Sequence, residues 1–446
     1  MRDRFLWIGC AAYAVVFTAL GTLKYLVHRN LVDFGIFAQT AASAFGCFCN
    51  PIEGSHWAFH FSPILYVAGA VLLLGHSPLT LIALQAIAGA LVAPPIYGLL
   101  RRHGGSECAA RRIALLIWLY PPLAGLIFGD FHENGFAPAA VAWTLYAFDA
   151  GAIVWTAIGA AVVLTIKEDQ AVFLAIAGAL GTWRFWGTSR GRVAAATGVA
   201  SLAVLAIFFG LIQPHASASA VTSWQPQRFY AWTHADVAAL PSMLPARLGF
   251  VLLVFVPLLF LPFVSPWMSL AAAPLAEVLL SRQPTAYTLG THYAGAWIGY
   301  VLVAFAFAMT RFEPARMQQV LSICIVLCAI ELTVADPLHP GLNLRRIEVR
   351  DAHLDAVVSS LPRDVDVASQ EEAYTHLALR DPNARLLPEE PSRATLACFV
   401  LIDGDFPASA RLEEYGARLA MLVAQRQYVE VMRSGNIVLY RAAACR

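Results

Sequence analysis

Residues 31 to 63 read LVDFGIFAQTAASAFGCFCNPIEGSHWAFHFSP, a stretch between two hydrophobic runs that lacks the unbroken apolar length of a membrane span. Asp33 stands at its head, followed by Gly35, Gln39 and an apolar set, Phe34, Ile36, Phe37, Ala41 and Phe45, whose spacing is loosely helical. The pattern predicts a half-buried helix at a membrane surface with its carboxylate at the helix start. The stretch closes on His60-Phe61-Ser62-Pro63, a polar corner before the next hydrophobic run. An acid and a histidine bracketing a surface helix form a candidate site. The plainer reading of the same residues is an N-cap aspartate and an interfacial histidine.

Working outward, the chain of 446 residues is 59% hydrophobic and only 13% charged, too apolar for a soluble domain of this length. It reads as a multi-pass membrane protein. The charges are unevenly placed: 28 of the 59 Asp, Glu, Lys and Arg residues fall between Arg345 and Arg446, so the last quarter reads as a soluble domain appended to a membrane body. A net charge of +1 without basic runs argues against nucleic acid as a partner. The eight cysteines show no paired metal spacing; Cys324 and Cys328 share a helix face and read as packing, whereas Cys47 with Cys49 and Cys398 with Cys445 are candidate disulfides on an oxidising side.

The first span is expected at about 5–27, and further apolar runs bring the total to about 11–12 hydrophobic segments ending near residue 335. Several are short and carry proline, as at Pro94-Pro95, Pro121-Pro122, Pro257 and Pro262, which suits broken helices lining a cavity walled by protein. Arginines cluster at Arg2/Arg4, Arg101/Arg102, Arg111/Arg112, Arg184/Arg190/Arg192 and Arg311/Arg316, and the positive-inside rule puts all of them on the cytoplasmic side. That assignment requires residues 62–100 to cross only once. It places Asp33, His60, Asp130-Phe131-His132-Glu133, Lys167-Glu168-Asp169, Arg282 to Tyr293, a long loop at 213–246 with Trp224 and Trp232, and the tail on the outer side.

The fold class expected is therefore mainly α: a transmembrane helical bundle over residues 1–336, with outer-loop helices in 28–61, followed by a small α/β extracytoplasmic domain over 341–446. The tail alternates helix and strand and has no glycine-rich phosphate loop.

Three knots carry candidate chemistry. Lys167-Glu168-Asp169 interrupts hydrophobic sequence from about 152 to 186, and ionisable groups at membrane depth are functional candidates unless they form a charged turn. Asp130, His132 and Glu133 form the second; Asn134-Gly135 follows, so the second histidine of a zinc-protease HExxH motif is missing. Arg282, Tyr287, His292 and Tyr293 form the third, a cation among aromatics that suits a phosphate or an interface anchor.

In this order and with these gaps, Asp33-Phe-Gly-Ile-Phe-Ala-Gln39, His60-Phe-Ser-Pro63, Asp130-Phe-His132, Lys167-Glu-Asp169 and His292-Tyr293 resemble the uncharacterised membrane family DUF2079 over about residues 10–335. That family is similar in layout to the GT-C superfamily of lipid-linked-sugar glycosyltransferases. Glu133-Asn134 departs from the family's expected proline and puts the shape of that turn in doubt. The resemblance implies transfer of a sugar from a polyprenyl-phosphate donor to a cell-envelope acceptor (glycan, lipid or protein) at the outer face of the cytoplasmic membrane. Asp33 is the implied general base. Asp130, Glu168 and Asp169 are further catalytic candidates and the implied ligands of a divalent cation, Mg or Mn. Gln39, His60, His132, Lys167, Arg282, His292 and Tyr293 are the implied substrate-binding residues, with Lys167 and Arg282 facing the lipid phosphate. Two other classes fit the same residues: a transporter using intramembrane acids and histidines for ion coupling, and a non-catalytic membrane assembly protein. Against the transporter, no internal repeat is visible and the tail is left without a role.

Overall fold

The computed structural model describes residues 3–218, 227–387, 397–404 and 411–445, so Trp224 lies outside the described residues. The chain is mainly helical, at 69%, with a small sheet domain at its end. Among the described residues, five helices are long and apolar enough to cross a membrane, or six if one bent pair is a single span, and four shorter apolar helices accompany them.

Helix α1 (Arg4–Leu26) starts on Asp3, whose carboxylate accepts from the Phe5 amide at 3.0 Å. Next come α2 (Val32–Ala42), the hairpin β1 (Cys49–Asn50) and β2 (Gly54–Ser55), and α3 (Leu65–Gly75). Eleven residues of α3 make about 16 Å of helix, too short to cross a bilayer. It packs instead along α2, and the following α4 (Leu79–Ala90) and α5 (Ala93–Arg102) form one apolar run of 24 residues antiparallel to α1. Within residues 62–100, Leu79–Arg102 is the one helical run long and apolar enough to cross a membrane.

Helices α6 (Glu107–Leu119) and α7 (Pro121–Phe128) meet at a 48° bend, where Pro121-Pro122 remove two amide donors from the helix ladder. The chain returns through α8 (Ala137–Asp149), α9 (Ile153–Leu164), α10 (Glu168–Arg184) and α11 (Ser189–Ile207). The expected long loop at 213–246 is shorter in the structure. Helical chain continues from Ser189 to Ser217 on one side, and a helix begins at His234 on the other, opened by a capping box between Thr233 and Asp236.

One end of the bundle gathers arginines: Arg111 bonds Asp3, Arg102 and His103 bond Asp149, and Arg190 donates to the Asp149 carbonyl. The opposite end carries the acids and histidines of the three knots and the tail.

The tail forms a five-stranded sheet in the order β4-β3-β5-β7-β6. Strands β3 (Val367–Ser369), β4 (Arg385–Leu386) and β5 (Phe399–Asp403) are parallel, and β6 (Tyr428–Ser434) and β7 (Ile437–Ala442) add antiparallel to β5. Both candidate disulfides form, Cys47–Cys49 and Cys398–Cys445.

The tail is no mere appendage. Phe34, Phe37 and Ala38 of α2 share one apolar core with Leu354, Val357, Tyr374 and Leu377 of the tail. Helix α2 is accordingly buried from Phe34 to Ala41 rather than half-buried at a surface. Gly35 permits the contact, because a Cβ there would lie 2.3 Å from the Tyr374 ring.

Candidate functional site

Three turns and one helix start meet at the tail end of the bundle. Asp130 sets the frame: its carboxylate accepts from Lys24 at 2.9 Å, Asn30 at 3.0 Å and the Leu31 amide at 2.8 Å. This ties the end of α7 to the end of α1 and fixes where α2 begins. Asp33 then falls in the first turn of α2, but it makes no cap bond; Leu31 is the N-cap residue. Its side chain faces His292, with Oδ2 3.2 Å from Nδ1.

His292 is placed by backbone approach. The turn His292–Ala296 lies on the turn Glu133–Phe136, and a Cβ at residue 295 would sit 2.2 Å from the Asn134 carbonyl oxygen, so only glycine lets them touch. The result is a parallel stack of the His132 and His292 rings, centroids 3.8 Å apart and planes 8° from parallel.

Lys167 sits where α9 breaks before α10. Its Nζ meets carboxylate oxygens of Glu133 and Asp169, each at 4.0 Å. Both oxygens of Glu133 and Oδ1 of Asp169 are buried without a hydrogen-bond partner among the described residues. Glu168, next in the chain, is well bonded: His60 lies 2.8 Å away and the Phe61 amide donates at 2.9 Å.

These groups line one cavity of about 460 Å³, with Glu53, Tyr230, Glu277 and Tyr293 among its polar lining. Val172, Phe209, Phe229, Ala273 and Ala276 add apolar lining. A cavity lined by both charged and apolar side chains suits an amphipathic ligand.

Burial raises the Asp33 carboxyl, but the hydrogen bond and charge of His292 outweigh it and leave it below the usual aspartate value. Burial pushes His132 down to about 3 against the pull of Glu133, so this imidazole is neutral at pH 7. Its Nδ1 lies 3.2 Å from the Asn134 amide nitrogen and 3.0 Å from Glu133 Oε2. Burial opposes ionisation of Glu133 too, and His132 and Lys167 outweigh it to hold the carboxyl below the usual range. With His132 neutral, we assign that stabilising charge to Lys167, which its acid neighbours keep protonated against burial.

Of the residues singled out in the sequence, the structure brings Asp33, His60, His132, Lys167, Glu168, Asp169, His292 and Tyr293 to one cavity. Three others lie elsewhere. Gln39 accepts from Tyr374 at 2.6 Å and donates to the Ala384 carbonyl at 2.9 Å, so it joins α2 to the tail. Arg282 pairs with Asp236 at 3.2 Å and donates to the Ala231 carbonyl, bracing the loop after residue 227. Asp130 is enclosed by its three donors. The expected metal set Asp130, Glu168 and Asp169 therefore does not assemble: the first two carboxylates already accept bonds from protein donors, and Lys167 stands beside the third.

Glu53 and Glu277 were missed as cavity residues. Glu277 had a readable signal, a single acid in the otherwise uncharged run 266–281. Glu53 had none, since its place depends on Asn50 and His56, which bond its carboxylate at 2.9 and 3.2 Å.

Residues 28–387 match the profile of the family described as "Predicted membrane protein (DUF2079)". No curated protein matches the chain. Among solved structures, the fold is similar to that of ArnT from Cupriavidus metallidurans bound to undecaprenyl phosphate, with 14% identity, 97% of this chain and 98% of that chain covered, and a TM-score of 0.56. The apo state of the same protein gives a TM-score of 0.55 at 14% identity, covering 96% and 98% of the two chains. The Archaeoglobus fulgidus oligosaccharyltransferase, in its complex with Zn and sulfate, matches at a TM-score of only 0.41 and 14% identity, over 93% of this chain and 71% of that one. The architecture is GT-C-like.

Proposed function

Since the chain belongs to DUF2079, a family of predicted membrane proteins, and has a GT-C-like fold, we propose that it is a membrane glycosyltransferase that moves a sugar from a polyprenyl-phosphate donor to a cell-envelope acceptor. The observation that carries this reading is the cavity itself, which sets Asp33 and Lys167 into one space with apolar lining. A donor of the class that ArnT is seen to bind, a polyprenyl phosphate, has the matching parts. Its lipid chain lies along Phe209 and Phe229, and its phosphate faces Lys167.

In this reading Asp33 is the general base. As the acceptor oxygen forms its bond to the anomeric carbon, the bond from that carbon to the phosphate oxygen breaks, and the acceptor's proton passes to the Asp33 carboxylate. His292 holds that carboxylate ionised and oriented. The departing phosphate carries negative charge, and Lys167 stabilises it in a site largely closed to water. His60 with Glu168, and Tyr293, line the path between them. By the positive-inside rule the arginine-bearing end faces the cytoplasm, which puts the cavity and tail on the outer side.

The test is purified protein in lipid vesicles with a radiolabelled polyprenyl-phosphate sugar and a cell-envelope extract as acceptor. Asp33→Asn keeps the shape and removes the proton acceptor, so transfer falls by about 10² to 10⁴-fold while donor binding survives. A wild type that binds no such donor, or an Asp33→Asn variant with full transfer, defeats the assignment.

A further inference from the structure

Away from the cavity, where the tail docks on the end of α1, His28, Asp355 and His376 bring one ligand atom each within 4.8 Å of one another. His28 Nε2 is 3.1 Å from Asp355 Oδ1, and His376 Nδ1 is 3.9 Å from the same oxygen. We propose that these three side chains bind a zinc-class divalent ion that clamps the tail domain to the membrane body. This inference does not depend on the glycosyltransferase reading.

The second observation is what lies behind each imidazole. His376 Nε2 is 3.1 Å from the Tyr25 carbonyl oxygen, which can only accept, so Nε2 carries the proton and Nδ1 presents a lone pair to Asp355. His28 Nδ1 lies 3.3 Å from Asp351 Oδ1, and that carboxylate is fixed by Arg345 and by the Glu348 amide at 2.8 Å. With the proton on Nδ1, His28 Nε2 presents a second lone pair toward the same point. Histidine ligands of metals are held in this way, the far nitrogen donating to a carboxylate or a backbone carbonyl.

The dimensions are those of a small ion's shell. Zinc bonds of about 2.0–2.1 Å in a tetrahedron separate ligand atoms by about 3.3 Å; two spacings here are 3.1 and 3.9 Å, and the two closely packed imidazoles would turn to bring both nitrogens onto one ion. Two imidazoles and one carboxylate favour Zn and its neighbours over Mg or Ca. The His28 side chain is fully buried and His376 nearly so, whereas 54% of the Asp355 side chain is exposed. That leaves a solvent side for entry and for a water as fourth ligand. His28 comes from the body, and Asp355 and His376 come from two tail helices, Val349–Ser360 and Glu371–Leu377, so the ion bridges both parts.

The rival arrangement is a doubly protonated His28 bridging Asp351 and Asp355 with no metal. Full-length protein in lipid nanodiscs, stripped with a chelator and titrated with ZnCl₂, separates the two. The expected result is one tight zinc per chain that Asp355→Ala and His376→Ala each remove, with Asp351→Asn weakening it about 10- to 100-fold. Zinc should also raise Tm and slow proteolysis between body and tail, and X-ray absorption should report two imidazole nitrogens. Asp355 is half exposed, so its alanine variant folds and supplies the decisive comparison. No tight zinc in the wild type, or zinc held equally by Asp355→Ala and His376→Ala, overturns the proposal.

Discussion

The chain has two lysines, Lys24 and Lys167, and both lie among carboxylates at the tail end of the bundle. Lys24 is 2.9 Å from Asp130, and two further donors complete that carboxylate. Lys167 approaches Glu133 and Asp169 at 4.0 Å, and three of their four oxygens have no hydrogen-bond partner among the described residues. The first knot is closed and lies outside the cavity that Asp33 lines; Lys167 and Asp169 of the second line it. Buried charges that are incompletely bonded cost free energy, and such strain is tolerated where a ligand or a reacting group completes the set. The contrast separates a residue that builds the site from one that acts in it.

The largest effect expected from this contrast is on folding. Lys24→Ala leaves the Asp130 carboxylate buried with only neutral donors, and breaking a buried pair in this way costs about 3–5 kcal/mol. Thermal unfolding in detergent should show it, while the folded fraction keeps its donor affinity. Wild-type stability in Lys24→Ala would erase the distinction between the two knots.

Next in size is the mirror case. Lys167→Ala removes the charge opposite the leaving phosphate, so transfer should fall about 10² to 10³-fold, with weaker binding of the lipid phosphate as well. Its stability loss should be smaller than that of Lys24→Ala, because its ion contacts are longer. Unaltered donor binding in Lys167→Ala would move the phosphate elsewhere in the cavity.

How much of this was legible beforehand follows the same division. The apolar runs mark the helices closely because hydrophobic length is local information: the hydrophobic sequence from about 152 to 186, interrupted at Lys167, is α9, Ile153–Leu164, and α10, Glu168–Arg184. Lys167, His132 and His292 were legible as site candidates because charge and imidazole are conspicuous in apolar sequence. Which of them meet was not. Gln39 finds Tyr374, 335 residues away, and Asp130 finds Lys24, 106 residues away. Such pairings are set by tertiary packing, so a polar residue beside a motif can equally be a strut. The shared core of α2 and the tail was hidden for the same reason.

The smallest expected effect is in the pH dependence of transfer, and it probes the open side of the comparison through Asp33. Its carboxyl lies below the usual aspartate value because His292 outweighs burial. A group whose folded value is depressed contributes stability that is present above the unfolded value, about 3.9 for aspartate, and lost as pH falls through the lower folded value. Asp33 is therefore ionised throughout the range from pH 8 to 5, and its part in the rate should change less than twofold there. His292→Ala removes the hydrogen bond and charge but leaves the enclosure, so burial prevails and the carboxyl rises. In that variant an acid limb should appear at higher pH than in wild type, steepened toward a tenfold loss per unit below it. Donor binding measured in parallel keeps the limb attributable to the base, since a phosphodiester keeps its charge across this range. Equal acid limbs in wild type and His292→Ala would mean that His292 does not govern Asp33, and the stacked histidines would then belong with Asp130 as part of the frame.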